Sequence, residues 1–171
     1  MNGTKNIQRH TLAKAMSAGI LAVVASPMGV APATADVAVL SCGAPIRSTV
    51  KLGFNSTFTT MSGTYVNVPG AKVTVNVPAG QTQCIRIRFS GTASCPGGSG
   101  ANQCFLRPNG QPNVFFDPAA TVFTTSPTAA AHSFEWVVRV AEGSYPIQIQ
   151  ALTQATSFEI SGWTLVVDVT N

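Results

Sequence analysis

The chain contains few side chains that could serve as a nucleophile, a general base or a metal ligand. Of its two histidines, only His132 lies beyond residue 35. A Ser-His-Asp or Cys-His mechanism would have to use this residue, and the sequence contains no G-x-S-x-G element to accompany it. His132 follows a run of alanines at the start of a strand pattern, where an exposed or capping histidine is ordinary. We therefore predict no catalytic residue and no cofactor.

The acidic residues are too far apart in the sequence to indicate a catalytic pair or a calcium loop. They are Asp36, Asp117, Glu135, Glu142, Glu159 and Asp168. We expect Glu135 and Glu159 to lie on an outward strand face, where they would balance Arg86, Arg88 or Arg139. Folding could still gather distant carboxylates, so the alternative function class is a secreted hydrolase, for example one acting on polysaccharide, that uses such a pair or His132.

Four cysteines could form either disulfides or a zinc site, and their spacing in the sequence indicates which of the two is expected. They are Cys42, Cys84, Cys95 and Cys104. No C-x-x-C pair is present, so we predict no metal site. Of the three disulfide pairings, we favour Cys95 with Cys104, because the turn-rich segment 96–103 brings its own ends together cheaply; this leaves Cys42 with Cys84. Lipid modification of Cys42 is a minor alternative.

The aromatic residues offer another route to function, because exposed rings stack on sugars or anchor partners. Trp136 and Trp163 fall in the apolar phase of their strands, so we expect both to be buried. The two tyrosines each lie beside a strand end. The adjacent phenylalanines should point to opposite faces, which would leave one of them at an edge or a partner contact. The candidate ligand or partner contacts are thus Tyr65, Tyr145, Phe115 and Phe116.

The N-terminal residues have the order of a secretory signal peptide. Three basic side chains precede an apolar run over residues 16–25, and a small-residue A-x-A site follows at 33–35. We predict cleavage before Asp36, with residues 1–35 as signal peptide and 36–171 as one domain that is secreted or held at the cell surface. No membrane span should remain after cleavage. Because the loss of three basic groups lowers the net charge from +4 to +1, we expect no nucleic-acid partner.

Period-two alternation dominates residues 36–171 and predicts an all-β fold of antiparallel strands with one buried face, stapled by two disulfides. The even spacing of the strands favours a β-sandwich. Weaker strand signals occur over 113–116 and 121–125, and Pro108 to Pro112 should form a turn. Gly162 should mark a bulge. The main predicted strands are Ala71–Val77, Cys84–Phe89, Ser133–Ala141, Ser144–Leu152 and Ser157–Val169.

Several short motifs resemble one group of proteins. They are Val75-Asn76-Val77-Pro78-Ala79-Gly80, the strand Ile85–Phe89, the Cys95 and Cys104 pair, Phe105-Leu106-Arg107, Phe134-Glu135-Trp136 and Ser161-Gly162-Trp163-Thr164-Leu165. Together they resemble small secreted bacterial jelly-roll proteins, mostly uncharacterised, whose topology is similar to that of C1q and tumour necrosis factor domains. The resemblance covers residues 65–169 and implies a jelly-roll β-sandwich, without implying an activity.

These observations favour an exported, non-catalytic binding or surface-associated module whose ligand is an unidentified protein or carbohydrate. Val166 and Val137 fall on outward strand faces. If both joined Phe115 or Phe116 in a contiguous apolar patch above about a few hundred Å², a subunit interface would be the physical explanation. We therefore also expect self-association, with a trimer implied by the jelly-roll resemblance.

Overall fold

The computed structural model describes residues 42–97, 102–111 and 114–171, apart from the side chains of 54–56. The predicted signal peptide and its cleavage site before Asp36 lie outside these residues. Eight strands make up the regular structure, and no helix occurs in the described ranges, so none there is long and apolar enough to cross a membrane. The strands are β1 Pro45–Thr60, β2 Val66–Val77, β3 Gln83–Ser94, β4 Cys104–Gly110, β5 Thr121–Thr124, β6 Ala130–Val140, β7 Gly143–Thr153 and β8 Phe158–Thr170.

The strands form two four-stranded antiparallel sheets that pack face to face. Sheet I has the order β1-β8-β3-β6, and sheet II has the order β2-β7-β4-β5. Chain neighbours therefore lie in different sheets, except β4 and β5, which pair with each other in sheet II. The first strand lies beside the last, and this is the arrangement of an eight-stranded jelly roll. The predicted fold class, an antiparallel jelly-roll sandwich with two disulfides, is confirmed.

The core consists of the inward-facing residues of both sheets, as the alternation predicts. Trp136 and Trp163 are both buried, at 0% and 3% exposure. The indole of Trp163 stacks on Phe89 with ring centroids 5.8 Å apart. Glycines from three other strands approach the Trp163 side chain closely enough that an added Cβ would touch it; they are Gly53, Gly70 and Gly91. The Trp163 side chain thus occupies a space that residues larger than glycine at these three positions would fill.

Both disulfides have the predicted partners. Cys95 pairs with Cys104 across 5.9 Å between Cα atoms, and Cys42 pairs with Cys84 across 5.7 Å. Cys84 alternates with the outward residues of β3, yet it is 1% exposed and is bonded to Cys42, which precedes β1. The carbonyl of Cys42 accepts a hydrogen bond from Arg86 at 3.5 Å. Two disulfides indicate an oxidising environment such as the extracellular space.

Strand β4 extends further than the sequence predicts. Residues 108–110 were expected in a turn, but they continue β4 and pair with β7. Pro108 has no amide hydrogen, and the structure tolerates it because β5 pairs only with residues 104–106 of β4. Beyond Leu106, one side of β4 is therefore a sheet edge. The predicted short strand over 113–116 is reduced, within the described residues, to a single bridge between Gly110 and Val114.

Candidate functional site

A row of polar side chains crosses the outer face of sheet II. Asn67 of β2 lies opposite Gln150 of β7, which lies opposite Arg107 of β4. The Arg107 Nε donates to the Gln150 Oε1 at 3.0 Å, and the Gln150 Nε2 donates to the Asn67 Oδ1 at 3.0 Å. We call these three residues the amide–guanidinium row. In each strand, the residue of this row alternates with buried residues. All three side chains therefore point away from the core, and the strand register places them side by side.

Tyr65 stacks against one end of this row. Its ring centroid lies 3.8 Å from the Cζ of Arg107, which is a close cation–π contact. The turn that carries it is held against sheet II, because the Thr153 amide donates to the Ser62 carbonyl at 3.0 Å. Burial raises the pKa of the Tyr65 phenol above its ordinary value, although the Arg107 charge opposes this rise. The hydroxyl therefore stays protonated and can both donate and accept hydrogen bonds.

A second row lies one step along the same face and consists of Lys72, Gln148 and Asn109. Gln148 is committed to the fold, since its Nε2 donates to the carbonyls of Val68 at 2.8 Å and of Ala71 at 3.2 Å. These carbonyls belong to an irregular segment of β2 where the pairing with β7 shifts register. The Gln148 side chain thereby donates to backbone carbonyls that have no partner in the hydrogen bonding between β2 and β7.

A depression of about 280 Å³ adjoins both rows. Arg107, Asn109, Phe115 and Phe116 are among its lining residues. Phe115 is 84% exposed whereas Phe116 is 5% exposed, as expected for adjacent residues that point in opposite directions. An exposed aromatic ring, a guanidinium and an amide therefore border one concavity. This combination can hold a ligand that has both apolar faces and polar edges.

The strands of sheet II contain basic residues but no acidic ones. Their sequences include Lys72 and Arg107 and no Asp or Glu, while the acidic residues within strands are all in sheet I. The outer face of sheet II therefore has a positive charge that no carboxylate of its own strands neutralises.

The outer face of sheet I is different, because its central charges are paired. Glu135 lies 3.5 Å from Arg86 and 2.9 Å from Arg88, so the expected outward charge balance is confirmed for this residue. Val137 and Val166 are half-buried on the same face, on β6 and β8. Because β3 lies between these strands, its two arginines separate the valines. Self-association stays a prediction.

The predicted candidates are distributed unevenly over the structure. Tyr65 and Phe115 lie at the outer face of sheet II and its adjoining depression, whereas Phe116 is buried. Tyr145 is also buried, at 9% exposure, and its hydroxyl donates to the Ala141 carbonyl at 2.9 Å. Its place beside a strand end suggested exposure, but its ring enters the core, and its hydroxyl is used in the connection between β6 and β7. Of these two buried rings, that of Phe116 still lines the depression.

Sequence reasoning missed the amide–guanidinium row. Gln150 was visible as the polar phase of β7, and Arg107 followed two apolar residues before a turn. The signal was therefore present strand by strand. Nothing in the local pattern shows that β2, β7 and β4 are neighbours, since that pairing depends on crossovers between the sheets.

The reactive residues considered from the sequence do not form a recognisable catalytic arrangement in the described part of the chain. The His132 ring lies 5.5 Å from that of Phe123, and its Nε2 has no hydrogen-bond partner among the described residues. In the same residues, no group of three or more His, Cys, Asp or Glu side chains could hold a metal ion. Comparisons of the chain with protein-family models, with curated proteins and with solved structures find no match.

Proposed function

We propose that this protein is an exported, non-catalytic module that binds carbohydrate on the outer face of sheet II. The observation that carries this proposal is the amide–guanidinium row. The amides can donate hydrogen bonds to sugar hydroxyls and accept hydrogen bonds from them, and the guanidinium can donate to them. The exposed Phe115 ring at the adjoining depression supplies apolar surface on which the C–H face of a sugar ring can rest, while the Tyr65 ring supports Arg107.

The row is organised before any ligand arrives. Its three side chains come from three strands and are joined by two hydrogen bonds of 3.0 Å, so their conformations are restricted in the free protein. Such preorganisation reduces the entropy that binding must otherwise overcome. Jelly rolls include lectin domains, but this likeness of fold supports the proposal only together with the site.

Export is the second part of the proposal. The two disulfides support it, as do the basic and apolar N-terminal pattern and the resemblance to secreted bacterial jelly-roll proteins. Mass spectrometry of the protein recovered from the medium or cell surface should find Asp36 at the N-terminus and no lipid on Cys42. Retention of residues 1–35, or a lipid mass, would contradict this route.

An array of plant, bacterial and animal polysaccharides, followed by calorimetric titration, tests the binding function. Gln150→Ala should weaken binding about tenfold, because it removes the residue that joins both hydrogen bonds of the row. Gln154→Ala is a matched control, since Gln154 is exposed in the loop after β7. If the folded protein binds no polysaccharide, or if Gln150→Ala binds as tightly as Gln154→Ala, the proposed site is wrong.

A further inference from the structure

Among the described residues, the two cations on the outer face of sheet II have no carboxylate partner, whereas the two arginines at the centre of sheet I share Glu135. Arg88 on sheet I lies 2.9 Å from a carboxylate oxygen of Glu135. Arg107 on sheet II has no ion pair with any described residue, and neither does Lys72. Because the strands of sheet II also contain no Asp or Glu, these two cations are available to an anionic ligand.

Arg107 is also held in one orientation. Its Nε donates to Gln150, and its guanidinium plane packs on the ring of Tyr65. Among the described residues, no hydrogen bond reaches its two Nη atoms. Those atoms form the outer edge of a planar fork, and a planar carboxylate is the acceptor that matches such a fork with two parallel hydrogen bonds.

The second cation lies too far away to share one acid group. Lys72 and Arg107 are separated by two strand spacings across the sheet and by one two-residue step along it, which is roughly 12 Å between Cα atoms. The uncharged amides of Asn67, Gln148 and Gln150 lie across the intervening surface. A ligand that matches this pattern carries at least two acid groups along a chain, with hydroxyls between them.

We propose that the ligand is an acidic polysaccharide whose sugar units carry carboxylates, that is, a polyuronate. This inference rests on the proposed function and names its substrate class. Arg107 holds one carboxylate through its Nη edge, Lys72 attracts another, and the amides of Asn67 and Asn109 at the ends of the two rows bind sugar hydroxyls. A nucleic acid fits less well, because residues 36–171 have a net charge of only +1.

The test compares oligogalacturonate with the same oligosaccharide after reduction of its carboxyl groups to neutral galactose units. The unmodified protein should bind oligogalacturonate at least tenfold more tightly than the reduced form, and the affinity should fall as salt is added. Dextran sulfate and single-stranded DNA serve as polyanions without carboxylates, and both should bind more weakly than oligogalacturonate.

Three variants locate the interaction. Arg107→Gln should weaken oligogalacturonate binding about tenfold, and Arg107→Lys should restore part of the loss because it keeps the charge without the fork. Arg139→Gln is the matched control, since it removes the same charge from an exposed position of β6 in sheet I, and it should stay within about twofold of the unmodified protein. If Arg107→Gln unfolds, Lys72→Gln replaces it, because Lys72 is exposed.

The outcomes separate this inference from the function on which it rests. Equal binding of the reduced and unreduced oligosaccharides overturns the acidic ligand and leaves carbohydrate binding intact. Binding of no saccharide overturns both. Binding of dextran sulfate or DNA as tightly as oligogalacturonate, or an equal loss in Arg139→Gln and Arg107→Gln, shows attraction by charge alone and overturns the assignment of a carboxylate site.

Discussion

Replacing Gly53 with alanine should destabilise the protein strongly, because the added methyl group would overlap the ring of Trp163. An ideal Cβ at Gly53 lies 2.8 Å from the Cδ2 of Trp163 and closer still to two other ring atoms. The ring has little room to move away. Phe89 stacks against it at 5.8 Å, and a Cβ at Gly91 or Gly70 would lie 3.2 Å or 3.5 Å from atoms of the same side chain.

Overpacking a core with one methyl group costs about 1–3 kcal/mol, and a ring confined on several sides places Gly53→Ala near about 3 kcal/mol. For a domain of this size, that loss corresponds to a melting temperature lower by roughly 10 °C. Urea unfolding followed by tryptophan fluorescence gives the free energy of unfolding, and calorimetry gives the melting temperature.

Gly63→Ala is the control, because nothing lies within 4 Å of a Cβ built at Gly63. We expect it to match the unmodified protein or to be more stable by up to about 1 kcal/mol, since alanine restricts the unfolded chain. If Gly53→Ala unfolds within about 0.5 kcal/mol of the unmodified protein, the glycine slot around Trp163 does not confine the ring, and this account of the core is wrong.

Two further predictions concern Tyr65 and one disulfide. Because burial raises the pKa of Tyr65 above 10.0 in the folded state, the stability linked to its neutral phenol is complete below pH 10 and is lost as the pH rises through the folded-state pKa. Ultraviolet titration of the unmodified protein against Tyr65→Phe should show this delayed ionisation, and a midpoint at or below that of free tyrosine would contradict it. Replacing Cys95 and Cys104 together with serine should lower the free energy of unfolding by about 2.7 kcal/mol for a loop of about ten residues, and a loss below about 1 kcal/mol in denaturant would refute the loop-closure estimate.

Local alternation was sufficient to predict the strands that supply most of the core. The predicted strands Ser133–Ala141, Ser144–Leu152 and Ser157–Val169 correspond to β6, β7 and β8 within a few residues at each end. Both tryptophans occupy the buried phase as expected. This succeeds because successive strand residues point to opposite faces whatever the partner strand is, so the apolar phase identifies the core side directly.

Strand β1 could not be predicted in this way, because its polar residues, and not its apolar ones, lie on the face that β8 turns toward the core. Arg47 and Lys51 share a face with the buried Val169 and Leu165 of β8, so polar residues lie on the inward side of this edge strand. Arg47 reaches across to donate to the Asn76 carbonyl of sheet II at 3.0 Å. The strand exists because β8 offers it a backbone ladder, which is a property of the assembled sheet.

The sequence by itself determined the strand-rich composition, the buried faces of most strands and the Cys95–Cys104 disulfide, since each depends on neighbours in the chain or on a short loop. The Cys42–Cys84 disulfide then followed, because only these two cysteines remained. Only the tertiary structure decided which outward faces became a site. Asn67, Gln150 and Arg107 meet because β2, β7 and β4 are adjacent in one register, and a slip of one residue would turn a strand's contribution into the core. The same packing buried Tyr145 and left Phe115 exposed, because side-chain burial at a strand end depends on what the neighbouring sheet places there.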